Sequence, residues 1–281
     1  MQCNITTLAE NTAGKPYLIG EWGFCAHIET ADITILWDAG VGSGATWNAE
    51  WLGVDLTKVD KVVLSHSHFD HTEGLPSVLR KIHKDIEVIA APDLWEGRKF
   101  SIDGRVRPRL FIGIPYTRPY LENWGARFTL TREPVHLSKN VMTSGEIPLV
   151  TDFEKVGEDY LVTEIDGKMM KDDFSDDRFL IVKTTEGLVI VLGCGHRALI
   201  NSLLHAQKLT GEDRIHAVIG GCHLIDASDE RIMKTIAALK EMDVQRVGVS
   251  HCTGLRAGAM MAHEMGDRFF FNTVGTRVQV P

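Results

Sequence analysis

Along the chain, short apolar runs alternate with segments in which apolar residues recur every three or four positions. In the first part, from residue 1 to about 93, Cys3–Leu8 and Ile33–Asp38 read as strands, and Lys61–Ser65 (KVVLS) is an apolar run ending in a small polar residue. Leu75, Val78, Leu79 and Ile82 then share one face of a helix predicted over Leu75–Lys84, and Ile86–Ala91 returns to strand. In the last part, from about 178 to the end, Leu180–Thr184 and Leu188–Leu192 flank Thr185-Glu186-Gly187, a hairpin turn. Three units follow, GLVIVLGCGH, IHAVIGGCHL and VQRVGVSHCTG, each an apolar strand that ends in Gly or Ser with His or Cys and feeds a helix. Strands alternating with helices predict an α/β architecture in which sheet is covered by helices on its available faces.

Between these parts, about 94–177 is rich in Pro, Arg and Asp and has no long regular period. Its first portion carries Arg98, Lys99, Arg105, Arg107, Arg109 and Arg118 against the single acid Asp103. Such a run reads either as a solvated loop or as a flap that attracts an anionic substrate. Asp172, Asp173, Asp176 and Asp177 form an acidic cluster, read as decorating a turn, with a metal or cation contact as the alternative.

Composition narrows the function classes. The 281 residues carry a net charge of −8, which argues against a general nucleic-acid binder. No apolar run approaches the roughly 20 residues of a membrane span, and the start, MQCNITTLAENTAG, lacks the basic and apolar regions of a signal peptide. Five cysteines are too few and odd in number for a disulfide scaffold, so reduced thiols and a cytoplasmic location are expected.

The densest chemistry lies in Leu64-Ser65-His66-Ser67-His68-Phe69-Asp70-His71-Thr72-Glu73-Gly74. Four potential ligands fall within six residues, directly after an apolar strand and before a helix. Imidazole and carboxylate are ligands of first-row transition metals. On an extended strand end His66 and His68 project to the same side, and once the chain turns, Asp70 and His71 can face a second point. One loop can thus serve two metals about 3.5–4 Å apart.

HxHxDH after an apolar strand resembles the signature of the metallo-β-lactamase superfamily. That resemblance implies an αββα sandwich with a metal site at one sheet edge, formed by the whole chain, 1–281, as one domain with a substrate-covering insertion at about 94–177. Trp37-Asp38-Ala39-Gly40 is similar to the superfamily's strand end in which a buried Asp, here Asp38, organises the metal loop, and His251 in VGVSHCTG matches the last ligand. SGEIP at 144–148, TDFE at 151–154, GCGH at 193–196, VIGGCHL at 218–224, SHCTG at 250–254 and the terminal NTVGT resemble the dihydropteroate-synthase-like branch. Members of that branch are commonly labelled synthases of a dihydropterin–ribofuranosylaminobenzene phosphate, which implies a pterin or phosphorylated substrate.

The chain departs from the superfamily pattern at two ligands. The usual third His has no counterpart, since the corresponding region reads VMTSGEIP, and Cys194 stands where a bridging Asp is usual. His196, two residues on, is the expected stand-in for the missing His. Cys194 is either a thiolate ligand or a small buried residue. His223, at the end of the next strand, is either an acid/base histidine of the metal site or a core residue. The paired glycines 193/195 and 220/221 make no dinucleotide fingerprint and are expected to let the backbone approach the metals.

The expected activity is a hydrolase that uses a metal-activated water on a small anionic metabolite, phosphorylated or pterin-like. Asp70 would orient the nucleophile, His223 would protonate the leaving group, and Arg105, Arg107 and Arg109 would receive the anion. The metal set would be His66, His68, Asp70, His71, His196 and His251, holding one or two divalent ions, zinc first and manganese or iron as alternatives. Two other readings compete. One is a transferase joining a pterin to an aryl ribosyl phosphate on the same metals; the other is a metal- or ligand-binding sensor without catalysis, which the complete HxHxDH disfavours.

Overall fold

Two sheets lie face to face in the computed structural model, which describes residues 2–104, 107–154 and 159–281. The first has seven strands in the order Arg277–Val280, Cys3–Ala9, Cys25–Thr30, Thr34–Trp37, Lys61–Val63, Ile86–Ala90, Ala126–Leu130. The second has six, in the order Phe269–Phe271, Arg246–Ser250, Ile215–Gly221, Gly187–Leu192, Phe179–Thr184, Val141–Thr143. Each sheet has one face toward the other. Ile28, Ile35, Trp37 and Val63 of the first pack on Leu180, Val182, Val189 and Ile219 of the second in a single buried cluster. The outer faces carry helices: Gly44–Leu52 and Leu75–Ile82 on the first sheet, Leu199–Thr210, Asp229–Glu241 and Leu255–Met265 on the second. This is the αββα sandwich. Fully apolar strands follow from that arrangement, because every residue of Gly187–Leu192 is covered on one face or the other.

Local chemistry sets the element ends. The Lys61 strand stops at Val63, short of the predicted Ser65, because the Ser65 amide turns to the Asp38 carboxylate, 2.7 Å away, and leaves the ladder. The Leu75 helix ends at Ile82, two residues early. His83 takes a left-handed conformation (φ 55°) and its amide returns to the Leu79 carbonyl.

The stretch 94–177 is more ordered than its composition suggests. Ala126–Leu130 and Val141–Thr143 are edge strands of the two main sheets. Arg98–Ser101, Leu110–Phe111, Leu161–Ile165 and Lys168–Lys171 make a separate four-stranded sheet. These strands are short and mix exposed with buried residues, with Lys168–Lys171 exposed throughout, so no long apolar run marks them. The small sheet is tied to the histidine loop by the Phe69 amide, which donates to the Ile112 carbonyl at 2.8 Å.

The acidic cluster spans a turn at Ser175–Asp176, as expected, but it is mostly buried and does not decorate the surface. Asp172, Asp176 and Asp177 are buried, and Asp173 alone is exposed. Lys99, read as part of a solvated loop or an anion-attracting flap, is buried between them, its Nζ 3.0 Å from Asp172 Oδ2 and 2.9 Å from Asp176 Oδ1. The cluster's cation contact is with a lysine of the adjacent small sheet.

Candidate metal centre

Strand ends of both sheets meet at one edge of the sandwich. From the first sheet come Asp38 and the loop His66–His71; from the second come Cys194, His196, His223 and His251, just beyond the Gly187, Ile215 and Arg246 strands. Close approach of the two sheets requires glycine at 193, where a Cβ would lie 2.1 Å from Ser65 Oγ. Asp38, His223 and His251 all have positive φ, at 58°, 43° and 50°, a conformation that β-carbon residues hold only where the surroundings impose it.

Two groups of ligand-type side chains result. His66, His68 and His196 form one; Asp70, His71, Cys194 and His251 form the other, and within each group one donor atom per residue lies within 4.8 Å of the rest. All seven are buried. The groups adjoin, since the rings of His66 and His71 are 4.3 Å apart. In the second group, Asp70 Oδ2 is 3.1 Å from His251 Nε2, and Cys194 Sγ is 3.1 Å from His71 Nε2.

Neighbouring groups fix which ring nitrogen carries hydrogen. Asp38 Oδ2 accepts from His71 Nδ1 at 2.7 Å and from Ser65 Oγ at 2.8 Å. Having donated its proton to Asp38, the Ser65 hydroxyl accepts from His66 Nδ1 at 2.9 Å. Asn11 Oδ1, which also accepts from the Gly23 amide, takes a hydrogen bond from His251 Nδ1 at 2.9 Å. In each case Nδ1 is the donor and Nε2 turns inward toward the other ligand-type atoms, the arrangement that orients a metal-binding imidazole.

Electrostatics keep most of these rings neutral. Burial, reinforced by neighbouring cationic groups, pushes His66 and His196 well below the usual imidazole value and His68 down to about 3. For His71, burial is outweighed by the Asp38 and Asp70 carboxylates, which raise it. Burial likewise opposes ionisation of Asp70, but His71 and His251 outweigh it and hold its carboxyl well below the carboxylate range. Burial raises the Cys194 thiol well above its ordinary value, so thiolate at that position calls for a cation beside it.

The atoms that would meet a metal are short of protein partners. His66 Nε2, His68 Nε2 and both ring nitrogens of His196 are buried with no hydrogen-bond partner among the described residues. Such atoms are costly unless something takes their lone pairs. A set of imidazole, carboxylate and sulfur donors suits a borderline transition metal.

Several supporting residues carried no signal in the sequence. Phe174 stacks on His196 at 4.1 Å between ring centroids, and Trp22 stands edge-on to His251 at 5.0 Å. Glu10 accepts from the His251 amide at 2.8 Å. Ser67 lies between the two histidines of HxH, and its hydroxyl and amide both donate to Asp176; only its place in the motif could have pointed to it. His223 is half-buried with its ring 4.2 Å from that of His196, outside both ligand groups.

Two of the arginines expected to receive an anion, Arg107 and Arg109, lie away from both ligand groups. Arg105 falls outside the described residues. Arg107 and Arg109, with Arg98, line a shallow depression on the small sheet, and no residue of the two ligand groups is in its wall. Arg98 and Arg109 both face the Glu164 carboxylate, and Arg109 lies over the Phe100 ring at 3.8 Å.

Comparison with known proteins agrees with this geometry. A family model described as the metallo-beta-lactamase superfamily matches residues 23–163. A Methanocaldococcus jannaschii protein named 7,8-dihydropterin-6-methyl-4-(beta-D-ribofuranosyl)-aminobenzene-5'-phosphate synthase is 33% identical, covering 94% of this chain and 92% of its own. An uncharacterized protein of the same archaeon is 32% identical over 90% of this chain and 91% of its own. Among solved structures, Tm1679, described as a metal-dependent hydrolase of the beta-lactamase superfamily, superposes with a TM-score of 0.83 at 28% identity, covering 99% of each chain. No helix among the described residues is long and apolar enough to cross a membrane. The chain therefore belongs to the metallo-β-lactamase superfamily and is one of its metal-dependent enzymes.

Proposed function

We propose that this enzyme is a hydrolase of a small anionic metabolite, carrying two divalent transition metals, preferentially zinc. The observation that carries the reading is the pair of adjoining buried ligand groups, in the first of which His66 Nε2, His68 Nε2 and both ring nitrogens of His196 have no hydrogen-bond partner among the described residues. His66, His68 and His196 would hold one ion, and Asp70, His71 and His251 the other, with Cys194 placed where a bridging carboxylate is usual. Such a pair supplies an acidified water and polarises a phosphoryl or carbonyl oxygen.

The protein's own part is orientation and proton handling. Asp38 holds His71, and Ser65 relays that constraint to His66, so both imidazoles keep one tautomer and one direction. Asp70, ionised and beside His251, orients the attacking water and accepts its proton. His223, half-buried beside His196, would return a proton to a leaving group. A phosphorylated substrate is supported by the phosphate in the name of the 33% identical relative.

That same name favours a second reading, transfer in place of hydrolysis, with the metals taking a phosphate-bearing leaving group. Zinc- and manganese-loaded protein should be assayed on a panel of phosphodiesters, phosphomonoesters, a lactone and a β-lactam, with turnover repeated in 18O-water. Hydrolysis of a phosphoester with solvent oxygen in the product supports the proposal. Preference for the β-lactam or lactone, or product without solvent oxygen, overturns it.

A further inference from the structure

A helix that packs on a sheet normally turns its apolar stripe inward and its polar residues to water. The Gly44–Leu52 helix does the reverse. Ala45, Asn48 and Ala49 are buried against the first sheet, the two alanines in one core cluster with Leu8 and Leu36. Trp47 and Trp51 stay outside, 48% and 54% exposed. Tyr17, 72% exposed, stacks on Trp51 with ring centroids 5.0 Å apart, and Trp47 lies 6.1 Å from Trp51. Single exposed apolar side chains are ordinary, but three aromatic rings gathered on one helix face mark an interaction surface.

The rings are held in place by the protein's own hydrogen bonds. Trp47 Nε1 donates to the Tyr17 carbonyl at 2.8 Å. Asn48 Oδ1 accepts from the Ile19 amide, and its Nδ2 donates to the Ile19 and Leu8 carbonyls, all at 2.8 Å. A partner therefore meets a surface that is already ordered, which lowers the entropic cost of docking.

Area and charge select the partner. A fully buried aromatic side chain removes about 150–250 Å² from water, so three rings at these exposures offer about 400 Å². Residues 12–20, all exposed except Leu18, extend the face toward the roughly 800 Å² per partner of a standard interface. Its charged neighbours have both signs: Glu50, 3.2 Å from Lys81 Nζ, and exposed Lys15. Such a rim lacks the cationic excess with which aromatic helices hold anionic membranes. A copy of the same surface matches it, because a twofold axis reverses the order of the charges. Trp47 and Trp51 are about 6 Å apart along the helix axis, so two antiparallel copies of the helix bring Trp47 of one protomer beside Trp51 of its partner.

We infer that this face is the contact between two copies of the chain, related by a twofold axis beside the Gly44–Leu52 helix. The inference does not depend on the proposed activity. Trp51 and Tyr17 form the centre of the contact, and residues 12–20 form its edge.

The test is sedimentation velocity on the full-length protein between about 1 and about 100 μM. The parent should sediment as a dimer. Trp51→Glu and Tyr17→Lys should each raise the dissociation constant about 100-fold or more, and Trp51→Phe less than about tenfold. Both positions are exposed, so circular dichroism should keep the parent spectrum. Met169→Glu with Met170→Glu, at exposed apolar positions of the small sheet, should leave the dimer intact. A parent that is monomeric throughout overturns the inference. So does a dimer that survives both Trp51→Glu and Tyr17→Lys, or one that the paired methionine change dissolves, since the contact then lies elsewhere. Flotation of a monomeric parent with phosphatidylcholine–phosphatidylglycerol vesicles, lost in Trp51→Glu, overturns it in favour of a membrane surface.

Discussion

Replacing Lys99 with methionine keeps most of the apolar stem and removes the ammonium. In the folded protein that ammonium lies 3.0 Å from Asp172 Oδ2 and 2.9 Å from Asp176 Oδ1, with all three side chains at most 5% exposed. Breaking a buried ion pair by deleting one partner costs about 3–5 kcal/mol, since the other charge stays buried without compensation. A typical domain has only about 5–15 kcal/mol in total, so urea unfolding at pH 7 should show a large loss of midpoint. The pH dependence separates this from simple packing damage. In the parent, burial opposes ionisation of Asp176, but Lys99 and Ser67 outweigh it and bring its carboxyl down to about 2. A carboxyl depressed on folding stabilises above its unfolded value, near 3.8, and that contribution disappears as pH falls through about 2. Without Lys99, burial and mutual repulsion raise both carboxyls above their unfolded value, so the variant's deficit grows as pH rises from about 4 and shrinks in acid. Ser67 gives a second readout. Asp176 accepts from its amide and hydroxyl between the two histidines of HxH, so zinc affinity should fall about 10–100-fold. A loss below about 1 kcal/mol, unchanged between pH 4 and 8, would refute the argument.

Elemental analysis of the purified enzyme should find up to two transition-metal ions per chain, and none after exhaustive zinc titration would remove the basis of the two-group centre. His196→Ala deletes one of three imidazoles in its group, so metal stoichiometry or affinity should drop while circular dichroism keeps the parent spectrum; full metal content would take His196 out of the ligand set. Cys194→Ser replaces the sulfur facing His71 Nε2 at 3.1 Å, and cobalt-substituted protein should lose a thiolate charge-transfer band if Cys194 is a ligand. An unchanged spectrum would make it a packing residue. Because Glu164 already faces Arg98 and Arg109, the double reversal Arg107→Glu with Arg109→Glu should leave KM for an anionic substrate within about twofold. A tenfold rise would return these arginines to substrate binding.

The sequence by itself determined most of the sandwich strands and covering helices and the metal loop, because these depend on local period and local spacing. Cys25–Thr30, Ala126–Leu130, Val141–Thr143, Phe269–Phe271, Arg277–Val280 and the helix Gly44–Leu52 were not legible in it. Gly187–Leu192 is apolar throughout since both its faces are covered, and His66 to His71 come from one continuous loop. Resemblance then pointed to Asp38, His196 and His251, whose partners are tens to hundreds of residues away. What only the tertiary structure decided are pairings of distant, individually ordinary residues. Lys99 reads as one more surface cation until the small sheet buries it against Asp172 and Asp176. Asn11 and Glu10 carry no motif, yet they hold His251 across the sandwich edge. Charge and polarity in a sequence indicate the cost of burial. Whether that cost arises, and which partner offsets it, depends on which chain segments the packed sheets bring within about 3 Å of one another.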